Sequence, residues 1–220
     1  MFKLQIKYLS FFFGIVSILS FFNILYSYYF NLYLNLDTYY FTLLASFILF
    51  ITFFKFGKYD IKSNIFQKIL TIFLGYLLIP LVLSIPFYFS IYNLTFSNSF
   101  FEAISGFTST GFTVFDNIKL IDQSLIIWRS STQWIGGLYF LFSIIYLIDI
   151  YDDSFKKTLT NYISFNSSEI LKQAAKIFIL YSSLTIMIFI ILNIFSIRTF
   201  DSLNLALTII SSGGFLPVND

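Results

Sequence analysis

Five apolar stretches, each about as long as a bilayer's hydrocarbon core is thick, limit what this chain can fold into. A helix needs about 20 apolar residues to cross that core. The chain is 58% hydrophobic and only 11% charged, with a mean hydropathy of +0.83. A water-soluble domain of this size has too little interior to bury so much apolar surface. We therefore expect an all-α polytopic membrane protein, with spans at 8–30, 38–54, 69–91, 125–148 and 177–197.

The residue types that carry most enzyme chemistry are missing from the sequence. There is no cysteine and no histidine, which excludes disulfides, thiol catalysis, zinc sites and imidazole acid–base chemistry. The chain has no nucleophile beside a general base and no glycine-rich phosphate loop before a lysine. Its carboxylates fall in links, near span ends or in the short segments described next, which disfavours a proton relay. We expect neither an enzyme nor a cofactor, and a net charge of +2 gives no reason to expect nucleic acid.

One apolar segment, 99–116, is too short to be a further span. It opens with Ser99-x-x-Glu102, a capping-box spacing that predicts a helix start, and continues as an apolar run. About ten helical residues rise only ~15 Å, half of the hydrocarbon core. A short helix that enters a membrane and ends in a Thr/Gly turn is typical of cation filters, where main-chain carbonyls replace the water around an ion. The turn here is Thr108-Ser109-Thr110-Gly111.

The same pattern returns near the end of the chain. After the fifth span, polar residues lead into a short apolar helix that ends in a Ser/Gly turn. With Phe112 aligned on Phe215, Gly111 meets Gly214, and Thr108-Ser109-Thr110 meets Ser211-Ser212-Gly213. Two such segments at corresponding places in a repeated hydropathy pattern are a stronger signal than either alone. They predict a two-span segment at 1–62, a first helix–pore-loop–helix repeat at 63–153, and a second, incomplete repeat at 154–220.

Three sequence runs, FFEAISGFTSTGFT, WRSSTQWIGG and ISSGGF, resemble the Trk/Ktr/HKT superfamily of potassium transporters, and most of all its bacterial TrkH branch. The resemblance implies a potassium-channel-like fold of four helix–pore-loop–helix repeats around one pore, preceded by two further spans. It also implies one filter strand from each pore loop, with a central glycine that Gly111 and Gly214 match. Family members work as dimers on a cytoplasmic nucleotide-binding ring. The implied partners are potassium ion, membrane lipid, a second copy of the chain and such a regulatory subunit.

We therefore predict potassium uptake across a bacterial inner (plasma) membrane through a carbonyl-lined selectivity filter. Two alternatives stay open from the sequence. In the first, the turns are ordinary membrane loops. In the second, the chain has only two of the four implied filter strands and is a non-conducting membrane fragment that pairs with a companion chain. A secondary carrier with inverted repeats is disfavoured, because both units have the same topology. The predicted filter residues are Thr108, Ser109, Thr110, Gly111, Phe112, Ser211, Ser212, Gly213 and Gly214.

Four further residues are candidates for supporting this filter. Glu102 either raises the cation concentration at the outer mouth or, as we favour, caps its own helix. Arg129 either extends to the membrane interface beside Trp128 or braces the pore loop by hydrogen bonds to carbonyls. Gly136 and Gly137 either form a hinge or, as paired glycines more often do, let helices approach closely.

The positive charges predict the orientation of the chain. With the N-terminus in the cytoplasm, ten of the 13 lysines and arginines fall in inner segments, and only Lys119, Arg129 and Arg198 fall outside or at outer span ends. This distribution follows the positive-inside rule and places the mouth of the filter outward. The charged link 149–176 is then a solvated inner connection, and the resemblance implies that it docks the regulatory ring.

Overall fold

The computed structural model describes residues 7–57, 65–147 and 170–217, and within them the regular structure is helical. The predicted repeat boundaries at 62/63 and 153/154, and most of the charged link 149–176, lie outside the described residues. The helices are α1 Lys7–Tyr29, α2 Leu36–Phe56, α3 Ile65–Leu83, α4 Ile85–Tyr88, α5 Phe96–Phe107, α6 Gln123–Tyr146, α7 Ile170–Ile194 and α8 Thr199–Ile210, with a 3-10 turn at Ile118–Leu120.

Four of the described helical segments are long and apolar enough to cross a membrane. They are Lys7–Tyr29, Leu36–Phe56, Ile65–Tyr88 and Ala174–Ile194, and they coincide with four of the five predicted spans. Together they identify a multi-pass membrane protein. The predicted span at 125–148 forms the 24-residue helix α6 but is not among the four. Its apolar residues are interrupted by polar ones, and 18 of its 24 residues are buried.

The third predicted span is less interrupted than its glycine and prolines indicate. Helix α3 continues through Pro80 and ends at Leu83, and α4 follows after Ser84. The Ser84 side chain donates to the carbonyl of Leu81 at 2.7 Å, which satisfies one backbone acceptor at the break. Gly75 allows close packing instead of bending the helix, since a Cβ there would overlap the hydroxyl of Tyr139.

Tyr139 of α6 lies at the centre of the aromatic core. Its ring centroid is 4.7 Å from that of Phe12, 5.0 Å from that of Tyr76 and 5.3 Å from that of Phe107. Its hydroxyl donates to the carbonyl of Ile72 at 3.0 Å, so the buried polar atom is satisfied. Helix α6 is thereby packed against α1, α3 and α5 at once.

A polar network fixes the first turn of α6. The Asp122 carboxylate accepts hydrogen bonds from Ser124 at 2.5 Å and from the Asn35 amide at 3.4 Å. The Ser124 hydroxyl is 2.9 Å from that of Tyr39, and its carbonyl accepts from Asn23 at 3.0 Å. These bonds join the start of α6 to α1 and α2. The residues of α6 that follow are therefore held in a defined position.

Candidate functional site

The two short helices α5 and α8 end in the same turn. Each is 12 residues long, and each is followed by a serine in the left-handed region, Ser109 with φ 55° and Ser212 with φ 54°. Both turns have the paired hydrogen bonds of a Schellman motif. The bonds run from Ser109 N to Gly106 O and from Thr110 N to Ser105 O, and from Ser212 N to Ile209 O and from Gly213 N to Thr208 O. The sequence alignment pairs these same residues.

The predicted start of the first short helix is wrong. Helix α5 begins at Phe96, and the side chain of Thr95 accepts the N–H of Asn98 at 3.3 Å. Ser99 lies inside the helix, buried, and donates to the carbonyl of Thr95 at 2.9 Å. Both Thr95 and Ser99 are residue types that cap helices. The cap therefore lies one turn earlier than the Ser99-x-x-Glu102 spacing predicts.

Glu102 is fully buried and forms an ion pair. Its carboxylate accepts from Arg129 Nε at 2.8 Å, from the Thr113 hydroxyl at 3.0 Å and from the Val114 N–H at 2.9 Å. The capping interpretation of Glu102 is wrong, because its side chain caps no helix. Its effect on cations at the outer mouth stays a prediction, and the side chain is 0% exposed. It joins α5 to α6 and to the residues that follow the first turn. We call residues 108–117 the first loop and residues 211–217 the second loop.

Arg129 braces both loops. Its side chain is 1% exposed, and Nη2 donates to the Thr113 hydroxyl at 3.0 Å. The guanidinium carbon lies 4.2 Å from the ring centroid of Phe215 and 5.6 Å from that of Phe115, within cation–π range. Arg129 thus contacts the loops through a carboxylate, a hydroxyl and two rings, whereas the bracing interpretation predicts hydrogen bonds to carbonyls. The interface interpretation is wrong for Trp128 too, which is buried and donates to the Leu83 carbonyl at 3.0 Å.

The two loops touch at their glycines. Gly111 has φ 81°, and a Cβ built on it would lie 2.7 Å from the Cα of Gly214. A Cβ on Gly214 would lie 3.1 Å from the Cα of Gly111. The position of Gly111 thus requires glycine both for its backbone conformation and for the contact. The position of Gly214 requires a small residue for the contact alone.

Most of the predicted filter residues lie at the surface of this contact. Phe112 is 67% exposed, while Ser211 is buried at 8%. The carbonyl of Phe112 accepts the Ser105 hydroxyl at 2.6 Å, so it is already bonded within the protein. The hydroxyls of Thr108 and Thr110 are 2.5 Å apart. Within the described part of the chain, no donor bonds to the main-chain carbonyls of Thr108, Ser109, Thr110, Gly111, Ser211, Ser212, Gly213 or Gly214.

The paired glycines of α6 allow it to approach both short helices. A Cβ on Gly136 would overlap the carbonyl oxygen of Phe107 at the end of α5. A Cβ on Gly137 would lie 2.9 Å from the Cα of Ser211 at the end of α8. These contacts fit the packing interpretation, because both glycines lie within the continuous helix α6 and each faces another helix end.

A cavity of about 590 Å³ lies on the α6 side of the two turns. Both positive-φ serines, Ser109 and Ser212, contribute to its wall. Its remaining lining is largely apolar and comes mainly from α3, α5, α6 and α8. Among the described residues, no group of three or more histidine, cysteine, aspartate or glutamate side chains could hold a metal ion.

The start of α8 carries an exposed ion pair. Arg198 Nε lies 2.7 Å from Asp201 Oδ2, and the arginine side chain is 71% exposed. The hydrogen bond to Asp201, together with its negative charge, raises the pKa of Arg198 above its ordinary value. Asp201 also lies in the first turn of α8, where a negative charge is favoured by the helix dipole.

Several residues of the site were not predicted from the sequence. Gln133 accepts the Phe215 N–H at 3.2 Å, and Ser130 donates to Asn204 of α8 at 2.7 Å. Thr113 links Glu102 to Arg129, as described above. A signal for Gln133 is present in the helical period, since Arg129, Gln133 and Gly136 are spaced to share one face of α6.

Comparison with known proteins gives the same picture at the level of the family. A sequence model described as TrkH, cation transport protein, matches residues 78–218. An uncharacterized cation transporter of Methanocaldococcus jannaschii is 28% identical over 163 residues, covering 67% of this chain and 33% of the relative. The Trk system potassium uptake protein TrkG of Escherichia coli is 31% identical over 106 residues, covering 44% of this chain and 22% of the relative.

A solved structure shares the fold. The crystal structure of the potassium transporter TrkH from Vibrio parahaemolyticus superposes with a TM-score of 0.75 at 17% identity, covering 99% of this chain and 44% of that one. The chain spans about a third or less of the length of the curated relatives named above.

Proposed function

Because the chain belongs to the TrkH family of cation transport proteins, we propose that it forms part of a potassium uptake protein whose filter includes both loops. One observation carries the proposal. Two adjoining loops present eight main-chain carbonyls that accept no hydrogen bond from a described residue. Unbonded carbonyls at the end of a short membrane helix are the groups that replace an ion's hydration shell in a cation filter. The carbonyl of Phe112 is bonded to Ser105, and we leave it out of the proposed filter.

The electrostatics of the site support a weakly hydrated cation as the substrate. The buried acid next to the loops, Glu102, is neutralised by Arg129 at 2.8 Å. An ion at residues 108–111 and 211–214 would therefore meet carbonyl dipoles without an unpaired buried carboxylate beside them. Such dipoles suit potassium better than ions that hold their water more strongly. Uptake would be driven by the membrane potential, worth about 2.3 kcal/mol per charge for each 100 mV.

We propose that the chain is divided as the sequence predicts. Residues 63–153 would form the first helix–pore-loop–helix repeat, with α6 as its closing span, and residues 154–220 most of a second repeat after the two-span segment 1–62. The N-terminus would lie in the cytoplasm and the loops would open outward, in the inner (plasma) membrane. The polar residues of α6 are compatible with this placement, since they face the protein interior.

The filter would be closed by further strands. The family resemblance implies four, which would come from further repeats, from a second copy in a homodimer, or from a companion chain. A cytoplasmic nucleotide-binding subunit would dock on the link 149–176. These partners are to be tested together with the transport activity.

Complementation of a bacterial strain deficient in potassium uptake tests the proposed function. The complete protein as encoded, expressed in this strain, should restore growth at low potassium and potassium uptake into cells. The 220-residue chain expressed alone should be compared in the same strain. If it restores uptake, the chain completes a filter by self-association. If the complete protein reaches the membrane but restores no uptake of any alkali cation, the proposal is wrong.

A further inference from the structure

The second loop depends on a side chain from the preceding repeat. Helix α6 follows the first loop in sequence, yet its Gln133 accepts the Phe215 N–H at 3.2 Å. Gln133 is fully buried. Its amide also lies directly against the backbone at Gly213, where an added Cβ would overlap Gln133 Oε1. The Gln133 amide thus contacts the second loop at two residues, Gly213 and Phe215.

A second group of contacts holds the ring of Phe215. The ring lies under the guanidinium of Arg129 at 4.2 Å, and a Cβ on Gly106 would lie 3.1 Å from its Cε2 atom. Phe215 is 2% exposed. The second loop is therefore anchored at its backbone by Gln133 and at its side chain by Arg129 and α5.

The second loop lacks the anchor that holds the first loop. In the register shared by the two turns, Glu102 aligns with Leu205 and Thr113 aligns with Leu216. Neither leucine offers a hydrogen-bonding side chain. The buried acid and hydroxyl that fix the first loop are thus absent from the second, and Gln133 supplies the polar anchor from outside.

We infer that Gln133 is a positioning residue for cation selection, which acts by fixing the main chain of Gly213–Phe215 against the first loop. It does so without contacting the ion. The positioning of the second loop by Gln133 rests on the contacts above, and the effect of Gln133 on cation selection rests on the proposed function. Loss of the amide leaves a buried N–H without an acceptor, so the second loop should shift or open while the first loop keeps its own anchors.

Hydrogen–deuterium exchange on the purified, membrane-reconstituted protein tests the positioning of the second loop by Gln133. Gln133→Leu keeps the size of the side chain and removes the acceptor. Exchange in a peptide covering 211–217 should become about tenfold faster, the ratio expected when one buried hydrogen bond is lost. A peptide covering 108–116 should change little. Gln123→Leu, an exposed position in the first turn of α6, is the matched control and should alter neither peptide.

Cation competition tests the effect on selection. Uptake of potassium should be measured against increasing sodium for wild type, Gln133→Leu and Gln123→Leu in the uptake-deficient strain, normalised to the amount of each protein in the membrane. Gln133→Leu should lower the potassium-to-sodium preference severalfold and raise KM for potassium, with a smaller effect on maximal rate. An equal fall in rate for both ions at unchanged preference would show a merely structural role and overturn the inference.

A second variant decides the question if Gln133→Leu fails to reach the membrane. Gly213→Ala forces a methyl group against the Gln133 amide from the loop side. The inference predicts faster exchange at 211–217 and a lower potassium preference for Gly213→Ala too. Unchanged exchange there would contradict the inference. Wild-type protein that transports no cation would contradict the proposed function, while the exchange result would still decide whether Gln133 positions the loop.

Discussion

The two loops share a backbone but are anchored by different chemistry. Both follow a 12-residue helix and begin with a serine at φ near 55°. The first loop is held by a buried ion pair, Glu102 with Arg129 at 2.8 Å. The second is held by a neutral amide, Gln133, at 3.2 Å from the Phe215 nitrogen. The comparison teaches that two segments can share the same turn while the side chains that hold each turn in place differ.

The two kinds of anchor predict different effects of mutation on stability. A buried ion pair is costly to break, since the remaining charge is left without a partner in a low-dielectric interior. A neutral hydrogen bond is cheaper to lose. Damage at the first loop should therefore destabilise the whole fold, whereas damage at the second should be local.

Arg129→Met should have the largest effect, because it leaves Glu102 buried and unpaired and removes the cation over Phe215. We expect a loss of about 3–5 kcal/mol in the free energy of unfolding, measured by thermal unfolding of the purified protein in detergent. Arg198→Met is the matched control. The Arg198 side chain is 71% exposed, so the melting temperature should hardly change.

The double variant Glu102→Leu/Arg129→Met sharpens this comparison. With both charges removed, it should be more stable than Arg129→Met alone. If the double variant were as unstable as the single one, the ion pair would not be the main anchor, and the packing of the long arginine side chain would explain the loss.

Gly136→Ala should have an intermediate effect. The added methyl group would overlap the Phe107 carbonyl, and overpacking of this kind costs about 1–3 kcal/mol. Gly14→Ala in α1 is the control, since its Cβ would lie 3.4 Å from the movable ring of Phe50. Equal melting temperatures for the two variants would argue that α6 does not pack against the end of α5 as described.

Thr95→Ala should have the smallest of these effects, about 1 kcal/mol, because it removes the side-chain cap of α5. Ser99→Ala, the control, should cost less, since the Ser99 hydroxyl bonds only to the Thr95 carbonyl, which also accepts the Ser99 N–H. The reverse order in thermal unfolding would restore the capping-box assignment that the sequence predicts.

The sequence predicted the turns well because their hydrogen bonds are local. Ser109 and Ser212 follow apolar helical runs of equal length, and the Schellman bonds depend only on the six residues around each serine. Four of the five predicted spans were likewise readable from hydropathy. The start of α5 was mispredicted because Thr95 and Ser99, one turn apart, are both capping residues, and local sequence does not decide between them.

The partners of the anchoring side chains could not be predicted, because the contacts join distant parts of the chain. Glu102 and Arg129 come from different helices, and Phe215 reaches Arg129 only after α7 and α8 have returned the chain to α6. In the sequence, Glu102 lies three residues after Ser99 and fits a capping box as well as it fits an ion pair. Only the packing of α5 on α6 shows that its partner is an arginine.

The most direct test of the central claim, that the two loops select potassium, is the potassium-to-sodium preference of uptake in Gly111→Ser. Gly111 combines a positive φ with contact to Gly214, so a serine there must displace the carbonyls of both loops. The complete protein as encoded should be measured in the uptake-deficient strain, with Gly14→Ser as the control. We predict a clear loss of preference for potassium at comparable membrane levels of protein. An unchanged preference in Gly111→Ser would contradict the assignment of these loops as the filter.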